Sequence, residues 1–270
     1  MRILIIHQVF VSPKEAGGTR HFELARYLRN KGHQVTIVAS DVSYLTGRKI
    51  LHHKGLVGEE KIEGIRILRA YTPSVIHKNF VWRVFAFITF MFASVWAALQ
   101  AGRVDVVMGT SPPLFQGVSA WVVSLIRRRP FLFEIRDLWP EFAIDMGVLT
   151  NPLLIRASRW LESFLYSRAT HLLVNSPAYR DYLLKRGIPE PKISFIPNGV
   201  DTSMFDPEAD GVSIRREFGL DDKFVITYAG ALGPANDIDT VLRAARRLKE
   251  SRGIHFLAAV SYTHLTLPTN

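Results

Sequence analysis

The stretch Ile196–Asp201, which reads IPNGVD, marks the point where one α/β unit of this chain ends and another begins. A β-like run, Lys192–Ile196, leads into it, and a new strand-like run, Phe224–Ala229, follows after a polar segment. Pro197 fixes its own φ and cannot donate a hydrogen bond to a sheet, so the strand ends there. The pair Asn198–Gly199 tolerates positive φ and favours a turn. The stretch therefore predicts a boundary between two units.

Upstream of this boundary, strand-like and helix-like segments alternate. Such alternation predicts a parallel sheet with helices on both faces, and we expect residues 1–205 to form one doubly wound, Rossmann-like α/β domain. One of the expected strands, Ile62–Arg69, alternates in polarity and suits a position nearer the edge of the sheet. The other expected strands are Arg2–Ile6, Gln34–Ala39, Val104–Met108, Phe131–Ile135 and His171–Val174, and the expected helices are about Arg20–Lys31, Pro113–Arg127, Leu153–Ser167 and Tyr179–Arg186.

Downstream of the boundary the same pattern starts again and then fails. We expect a linker over residues 206–223 and the incomplete start of a second domain over residues 224–260, because two strands alone cannot bury a sheet. Residues 261–270 (SYTHLTLPTN) show no apolar period. We expect this tail to be non-native sequence at the broken end of a reading frame; the alternative is a genuine short C-terminus.

Composition narrows the class of protein. The 270 residues include no cysteine, which excludes disulfides, thiolate zinc sites and thiol nucleophiles and fits the cytosol. The formal net charge of +10 favours an anionic partner, such as an anionic membrane surface or a sugar diphosphate. No basic low-complexity tail and no nucleic-acid-binding motif is present, so we expect no nucleic acid partner. The first apolar run, Ile3–Ile6, is too short for a signal peptide.

A glycine-containing loop, Pro13–Arg20, follows the first expected strand and opens the first expected helix. Gly17 and Gly18 allow a close approach of backbone to a ligand, and a helix N-terminus favours anions. Arg20 could hold an acceptor phosphate. The pattern is not Gly-x-Gly-x-x-Gly, so a dinucleotide cofactor is disfavoured. The structural alternative for this loop is a plain surface turn.

A dense charged block, Glu134–Glu141 (EIRDLWPE), begins at the carboxyl end of a buried strand, where doubly wound folds bind their ligands. Asp137 is the best polar candidate in it and Glu141 the second. Trp139 could stack on a sugar face or fill the core. The structural alternative is an ion pair between Arg136 and a neighbouring carboxylate.

Three motifs together, Pro13–Arg20, Arg136–Glu141 and Pro197–Asp201, resemble the family 4 glycosyltransferases, which have the two-domain GT-B fold. The Arg136–Glu141 block is similar to that of a branch that builds bacterial surface polysaccharides. The resemblance implies an N-terminal acceptor domain followed by the start of a donor domain. It places Gly17, Gly18, Arg20, Trp139 and Asn198 at the substrate cleft, and Asp137, Glu141 and Arg136 at the catalytic centre. Many family members have a His where this chain has Arg136, so no catalytic His is carried over.

The second glycine loop, Gly230–Gly233, follows the first strand of the second unit. The resemblance assigns Gly230 and Gly233 to the donor diphosphate, although the Arg and Lys that many relatives place beyond this loop are absent here. Backbone amides could still bind the diphosphate. The alternative is an ordinary strand-to-helix turn.

The function that the resemblance implies is transfer of a sugar, with retention, from a nucleotide diphosphate sugar to a lipid-linked saccharide. We expect no cofactor and no metal, and the chain itself to be inactive because its donor half is incomplete. Two alternatives remain: a non-catalytic acceptor- or membrane-binding module, and a different Rossmann-like sugar-nucleotide enzyme such as an epimerase. The missing Gly-x-Gly-x-x-Gly and Tyr-x-x-x-Lys patterns disfavour the latter.

The segment Phe80–Leu99 is rich in aromatic residues and has no charge from Val84 onward. Lys78, Arg83 and Arg103 flank it. Aromatic residues with basic flanks favour a helix at the interface of an anionic leaflet, and we therefore expect a peripheral protein on the cytoplasmic face of the cell membrane. The alternatives are a buried crossover helix and, least favoured, a membrane span.

Overall fold

The structure is a computed structural model that describes residues 1–13, 15, 17–199, 206, 208–230 and 236–260. The chain divides into two compact units, Met1–Gly199 and Val200–Asn270. The expected domain boundary at residue 205 falls outside the described residues, as does the expected tail, residues 261–270.

The first unit contains eight strands and six α-helices among its described residues. Most agree with the expected elements to within two residues. The strands are β1 (Arg2–Ile6), β2 (Gln34–Ser40), β3 (Val57–Ile62), β4 (Ile65–Ala70), β5 (Val106–Ser111), β6 (Phe131–Ile135), β7 (His171–Val174) and β8 (Ile193–Phe195). The helices are α1 (Arg20–Asn30), α2 (Phe80–Leu99), α3 (Leu114–Arg127), α4 (Glu141–Asp145), α5 (Pro152–Arg168) and α6 (Pro177–Lys185).

The eight strands form one sheet in the order β3-β4-β2-β1-β5-β6-β7-β8. All neighbouring pairs are parallel except β3 and β4. The first crossover helix packs on one face of the sheet, and the helices that follow β4, β5, β6 and β7 pack on the other. This confirms the predicted doubly wound α/β class.

The predicted strand Ile62–Arg69 is wrong in one respect, because it is a hairpin. Glu63 and Gly64 turn the chain with φ of +46° and +78°. Two successive residues with positive φ match the tight turn that the right-handed twist of paired strands favours. The edge position belongs to β3, and β4 lies one strand further in. A hydrophobicity pattern does not reveal β3 (VGEEKI), because its glutamates and lysine interrupt the apolar residues.

Two apolar layers hold the sheet. On one face, α1 packs with Phe22 and Ala25 on Ile3, Ile5 and other odd-numbered positions of β1 and β2. On the other face, α2, α3, α5 and α6 cover the alternate positions of the strands. Burying these side chains is the main favourable term for the fold, at about 25 cal/mol per Å² of apolar surface.

Helix α2 is half core and half surface. Phe90 and the small residues Ala86, Ala93, Ser94, Ala97 and Ala98 face the protein and are buried. The opposite side exposes Phe92 and Trp96 to 67% and 56%. The helix is long and apolar enough to cross a membrane, with a mean hydropathy of 1.7, yet 28% of that window is buried inside the domain. One face of α2 therefore packs on the core, as expected for a buried crossover helix, which was one of the alternatives to an interfacial helix.

In the second unit, β9 (Phe224–Ala229) pairs in parallel with β10 (Ile254–Ala259), and α8 (Ile238–Arg247) connects them. Helix α7 (Val212–Glu217) lies within the segment expected to be a linker. Gly230 follows β9 directly, and Gly233 lies outside the described residues.

Candidate active site

The order of the strands places a crevice between β1 and β5. The chain leaves β1 through α1 toward β2 and later returns through α2 to β5 on the other side of β1. In doubly wound sheets, ligands bind outside the carboxyl ends of the strands at such a reversal. The first residues beyond these ends are therefore the candidate site.

A row of polar side chains replaces the apolar pattern at this edge. Thr110 pairs with Glu134, and continuing the register of β1 and β5 sets His7 beside Thr110. Because side chains alternate along a strand, all three lie on the α1 face of the sheet, one step beyond the apolar layer of Ile5 and Met108. His7, Thr110 and Glu134 are almost completely buried.

Glu134 is the electrostatic centre of this row. Its two oxygens accept hydrogen bonds from Arg20 Nε at 2.9 Å and from His21 Nε2 at 2.6 Å. Burial by itself raises the pKa of the Glu134 carboxyl, but the charges and hydrogen bonds of His21 and Arg20 outweigh burial and lower the pKa from 4.5 to about 2. Glu134 is therefore ionised at neutral pH, and the first turn of α1 neutralises it.

Arg20 connects the three motifs that the sequence singles out. It belongs to the glycine-loop motif and contacts Glu134, the first residue of the charged block. Its two terminal nitrogens donate to the carbonyl oxygens of Pro197 and Ile196 at 2.7 and 2.9 Å. These internal partners occupy the guanidinium that the sequence assigns to an acceptor phosphate. The structure thus gives Arg20 a role in assembling the site, and its binding role stays a prediction.

Arg136 contacts His7, and among the described residues it forms no ion pair with Asp137 or Glu134, which was its structural alternative. Its Nη1 lies 3.3 Å from His7 Nε2. Burial lowers the pKa of the His7 imidazole well below 6.5, and the charges of His21 and Arg136 lower it further. Since the guanidinium is always a donor, a neutral His7 accepts on Nε2 and carries its proton on Nδ1. Arg136 Nε and His7 Nδ1 are buried without a partner among the described residues.

Asp137 carries a carboxylate without a hydrogen-bond or ion-pair partner among the described side chains. It lies just beyond β6 and is partly buried. Burial raises the pKa of Asp137 above its ordinary value of 3.8, against the opposing charge of Arg136. A partly buried carboxylate with a raised pKa is typical of groups that accept protons or orient a substrate hydroxyl.

Glu141 and Trp139 turn away from this cluster. Glu141 accepts two hydrogen bonds from Arg159, at 2.9 and 2.8 Å, and one from Arg186 at 3.2 Å. These contacts join α4 to α5 and to the end of α6. Trp139 is half buried and packs against the core. The structure therefore shows structural contacts for both, and their assignments to catalysis and sugar binding stay predictions.

The remaining predicted site residues lie on exposed loops. Gly17 has φ +134°, and a Cβ there would lie 3.0 Å from Val11 Cγ2, so both conformation and space favour glycine. A Cβ on Gly18 would meet nothing within 4 Å. Asn198 is exposed, close to the carbonyl of Pro197 that Arg20 binds. Gly230, in the second unit, is also exposed.

Sequence reasoning missed the two histidines of the site. Neither His7 nor His21 belongs to a motif that the sequence singles out. Their rings lie 4.1 Å apart. The available signal was that Glu134 continues the alternation of a buried strand and therefore needs a buried partner. Among the described residues, no three His, Asp or Glu side chains are grouped to hold a metal.

The fold and site define the class of a doubly wound α/β domain with buried charged side chains at the carboxyl ends of its strands. Residues 16–199 match the glycosyl transferase 4-like domain, and the chain belongs to that family, as the sequence motifs predicted.

Two curated relatives are similar to this chain. Alpha-galactosylglucosyldiacylglycerol synthase of Streptococcus pneumoniae is 32% identical over 109 residues, which are 38% of this chain and 29% of the relative. GDP-mannose-dependent alpha-mannosyltransferase of Mycobacterium tuberculosis is 24% identical over 88% of this chain and 58% of its own length. The chain thus spans less than two thirds of each.

Anabaena HepE, solved in complex with UDP, superposes with a TM-score of 0.59 at 15% identity, covering 97% of this chain and 70% of HepE. At this identity the likeness shows the fold.

Proposed function

We propose that this chain is the acceptor-side part of a retaining glycosyltransferase that moves a sugar from a nucleotide diphosphate sugar to a lipid-linked saccharide. The observation that carries the proposal is the partly buried carboxylate of Asp137, which has no hydrogen-bond or ion-pair partner among the described side chains and lies just beyond β6 in a glycosyl transferase 4-like domain. Both curated relatives are named as sugar-transferring enzymes, and HepE was solved with UDP.

Positioning and charge would supply the catalysis. Asp137 would accept a hydrogen bond from the attacking hydroxyl and orient it toward the sugar carbon. Arg136, with a permanent positive charge beside a neutral His7, would face negative charge that develops on the leaving diphosphate. In a retaining transfer without a protein nucleophile, the acceptor hydroxyl attacks from the face that the diphosphate leaves. The bond between the sugar carbon and the diphosphate breaks as the new glycosidic bond forms, and the hydroxyl proton passes to the departing diphosphate. No group on this chain then needs to form a covalent bond with the sugar.

The acceptor that we propose is linked to a lipid, in bacterial surface polysaccharide synthesis. The name of the Streptococcus relative places a diacylglycerol in its product. In this chain, the exposed side of α2 carries Phe92 and Trp96, and Lys78 stacks on Trp82 at 5.4 Å near its start. Aromatic side chains with basic neighbours suit the headgroup region of an anionic leaflet. We therefore place the protein peripherally on the cytoplasmic face of the membrane.

Turnover tests the catalytic proposal. A full-length version should transfer radiolabelled sugar from UDP- or GDP-sugars to a bacterial lipid extract, and Asp137→Ala should abolish most of that transfer. No consumption of any nucleotide sugar would favour the alternative of a non-catalytic binding module, whereas release of free sugar only would show an enzyme that hydrolyses the donor and would contradict the lipid-linked acceptor.

Vesicle binding tests the membrane proposal separately. The chain should sediment with anionic vesicles and leave them in high salt, because screening weakens exposed charges. Phe92→Asp with Trp96→Asp should abolish sedimentation without unfolding the domain, since both side chains point away from the core. Equal sedimentation with neutral vesicles would contradict the electrostatic part of the proposal.

A further inference from the structure

We propose that the amino-terminal edge of the sheet carries a binding site for the phosphate of an anionic membrane phospholipid, formed by Arg128, Arg129 and Arg168. A cavity of about 510 Å³ opens there between the end of α3 and the end of α5. Trp121 and Phe131 line its apolar part, and Thr170 lies beside them. The cavity is at the opposite end of β6 from Asp137, so it is separate from the candidate active site.

The three arginines of this cavity, called here the arginine pocket, have no counter-charge among the described residues. Within the described part of the chain, no carboxylate forms an ion pair with any of them. The neighbouring Arg127 is different, because its Nη2 donates to the carbonyl of Leu99 at 2.5 Å and ties α3 to α2. Like charges around one cavity repel each other, and an anion that enters the cavity relieves that repulsion. Guanidinium groups bind phosphate in a bidentate manner.

The backbone of Arg128 gives a second, independent indication. Arg128 ends α3 in the left-handed region, with φ 51° and ψ 52°. This position after a helix favours glycine, and another L-residue there costs about 1 kcal/mol. Residues in such conformations are concentrated at ligand sites. A binding role for the Arg128 side chain would explain why arginine stands at a position that favours glycine.

The surroundings of the pocket favour a lipid over free phosphate. Leu125, at the rim, is exposed to 57%. On the other side of α3, an apolar groove of about 300 Å³ runs between α2 and α3, lined by Phe92, Trp96 and Val122. A site for inorganic phosphate needs no apolar walls. A single phospholipid would place its phosphate among the arginines and its hydrocarbon in the groove.

This inference rests on the proposed attachment to a membrane and adds a defined headgroup site to it. Attachment through aromatic side chains alone would require α2 and any basic surface. A headgroup site requires these three arginines specifically. The two proposals therefore fail in different experiments, and neither depends on sugar transfer.

The test compares two triple variants with the same net charge. Arg128→Gln, Arg129→Gln and Arg168→Gln neutralise the pocket. The control, Lys31→Gln, Lys54→Gln and Lys61→Gln, removes three exposed lysines at the end of α1, before β3 and on β3. β3 lies five strands from β6, about 24 Å across the sheet and beyond the screening length of about 8 Å.

Both variants are sedimented with vesicles that contain phosphatidylglycerol, at physiological salt. The pocket variant should bind about 100-fold more weakly than the wild-type chain, and the control less than about 3-fold more weakly. Equal losses would show that net charge alone drives binding and would overturn the headgroup site. Unchanged binding of the pocket variant to these vesicles would overturn the lipid as the occupant of the pocket.

Arg128→Gly separates function from folding. Glycine relieves the left-handed backbone, so the variant should unfold at the same temperature as the wild-type chain or higher, while its binding to the same vesicles falls about 5-fold. Unchanged binding in this stable variant would remove Arg128 from the site.

Discussion

The carboxylates of Asp137 and Glu141 have opposite surroundings, although they lie in the same charged block of the sequence. Two arginines bind Glu141 and lower its pKa, chiefly through the hydrogen bonds of Arg159. Asp137 has no such partner in the part of the chain that the structure describes, and burial raises its pKa. A raised carboxyl pKa means that the folded state favours the protonated form, so the ionised Asp137 costs stability at neutral pH. A group that costs stability and is nevertheless present at a ligand-binding edge is a candidate for function.

In a full-length version, Asp137→Asn should therefore lower turnover by about 100-fold and leave the free energy of unfolding unchanged or slightly higher. Initial rates and thermal melting on one preparation measure both. Glu141→Gln is the control. Its free energy of unfolding should fall by less than about 1 kcal/mol, because the partner Arg159 is half exposed, and the variant should keep most of its activity. A nearly normal rate for Asp137→Asn would return Asp137 to a structural role.

Glu134 should make the first unit sensitive to acid. Its pKa is about 2 in the folded chain and 4.5 ordinarily, so the folded state binds fewer protons. The stability from this group is fully present above about pH 4.5 and is lost as the pH falls toward 2, on the order of 3 kcal/mol in total. Glu134→Gln should unfold more readily at pH 7 and show a flatter loss of stability between these pH values, as measured by urea unfolding. Parallel pH profiles for the two proteins would contradict this.

At the scale of elements, close packing between β5 and α3 depends on glycine. A Cβ on Gly109 would lie 2.6 Å from Ala120 Cβ, and one on Gly117 would lie 2.7 Å from the ring of Phe133. These glycines let the helix approach the strand beside the candidate site, whereas a Cβ on Gly18 has open space. Packing therefore requires glycine at positions 109 and 117, and it does not require glycine at position 18.

Gly109→Ala should consequently lower the free energy of unfolding by about 1–3 kcal/mol, because the added methyl has no room. Gly18→Ala should leave thermal melting within about 1 °C of the wild-type value, which corresponds to a few tenths of a kcal/mol. If Gly18 approaches a substrate, the second change should raise KM in a full-length version while stability stays the same. Destabilisation by Gly18→Ala and not by Gly109→Ala would contradict the packing described here.

At the scale of the whole molecule, the sequence predicted the doubly wound class because buried strands and crossover helices have distinct apolar periods. It missed β3, whose charged residues resemble a loop, and it treated α2 as mainly a surface helix, although one face supports the sheet. It located the motifs of the site and missed His7 and His21. Their importance comes from the register between β1, β5 and β6 and from the contact of α1 with Glu134, which no local pattern specifies.

The contacts of Arg20 also have a consequence for how the first unit opens. Arg20 lies at the start of α1, and its guanidinium binds carbonyls that follow β8. Arg20 and Pro197 are 177 positions apart in sequence. When either segment moves away, Glu134 loses a partner in a buried place, so separate local opening is unfavourable.

We expect the amide of Ile196, which donates to Val174, and the first amides of α1 to exchange their hydrogens in one cooperative step. Arg20→Lys should accelerate both together by about 10-fold or more in native-state hydrogen exchange. Acceleration at one end alone would show that the two ends of this unit open independently.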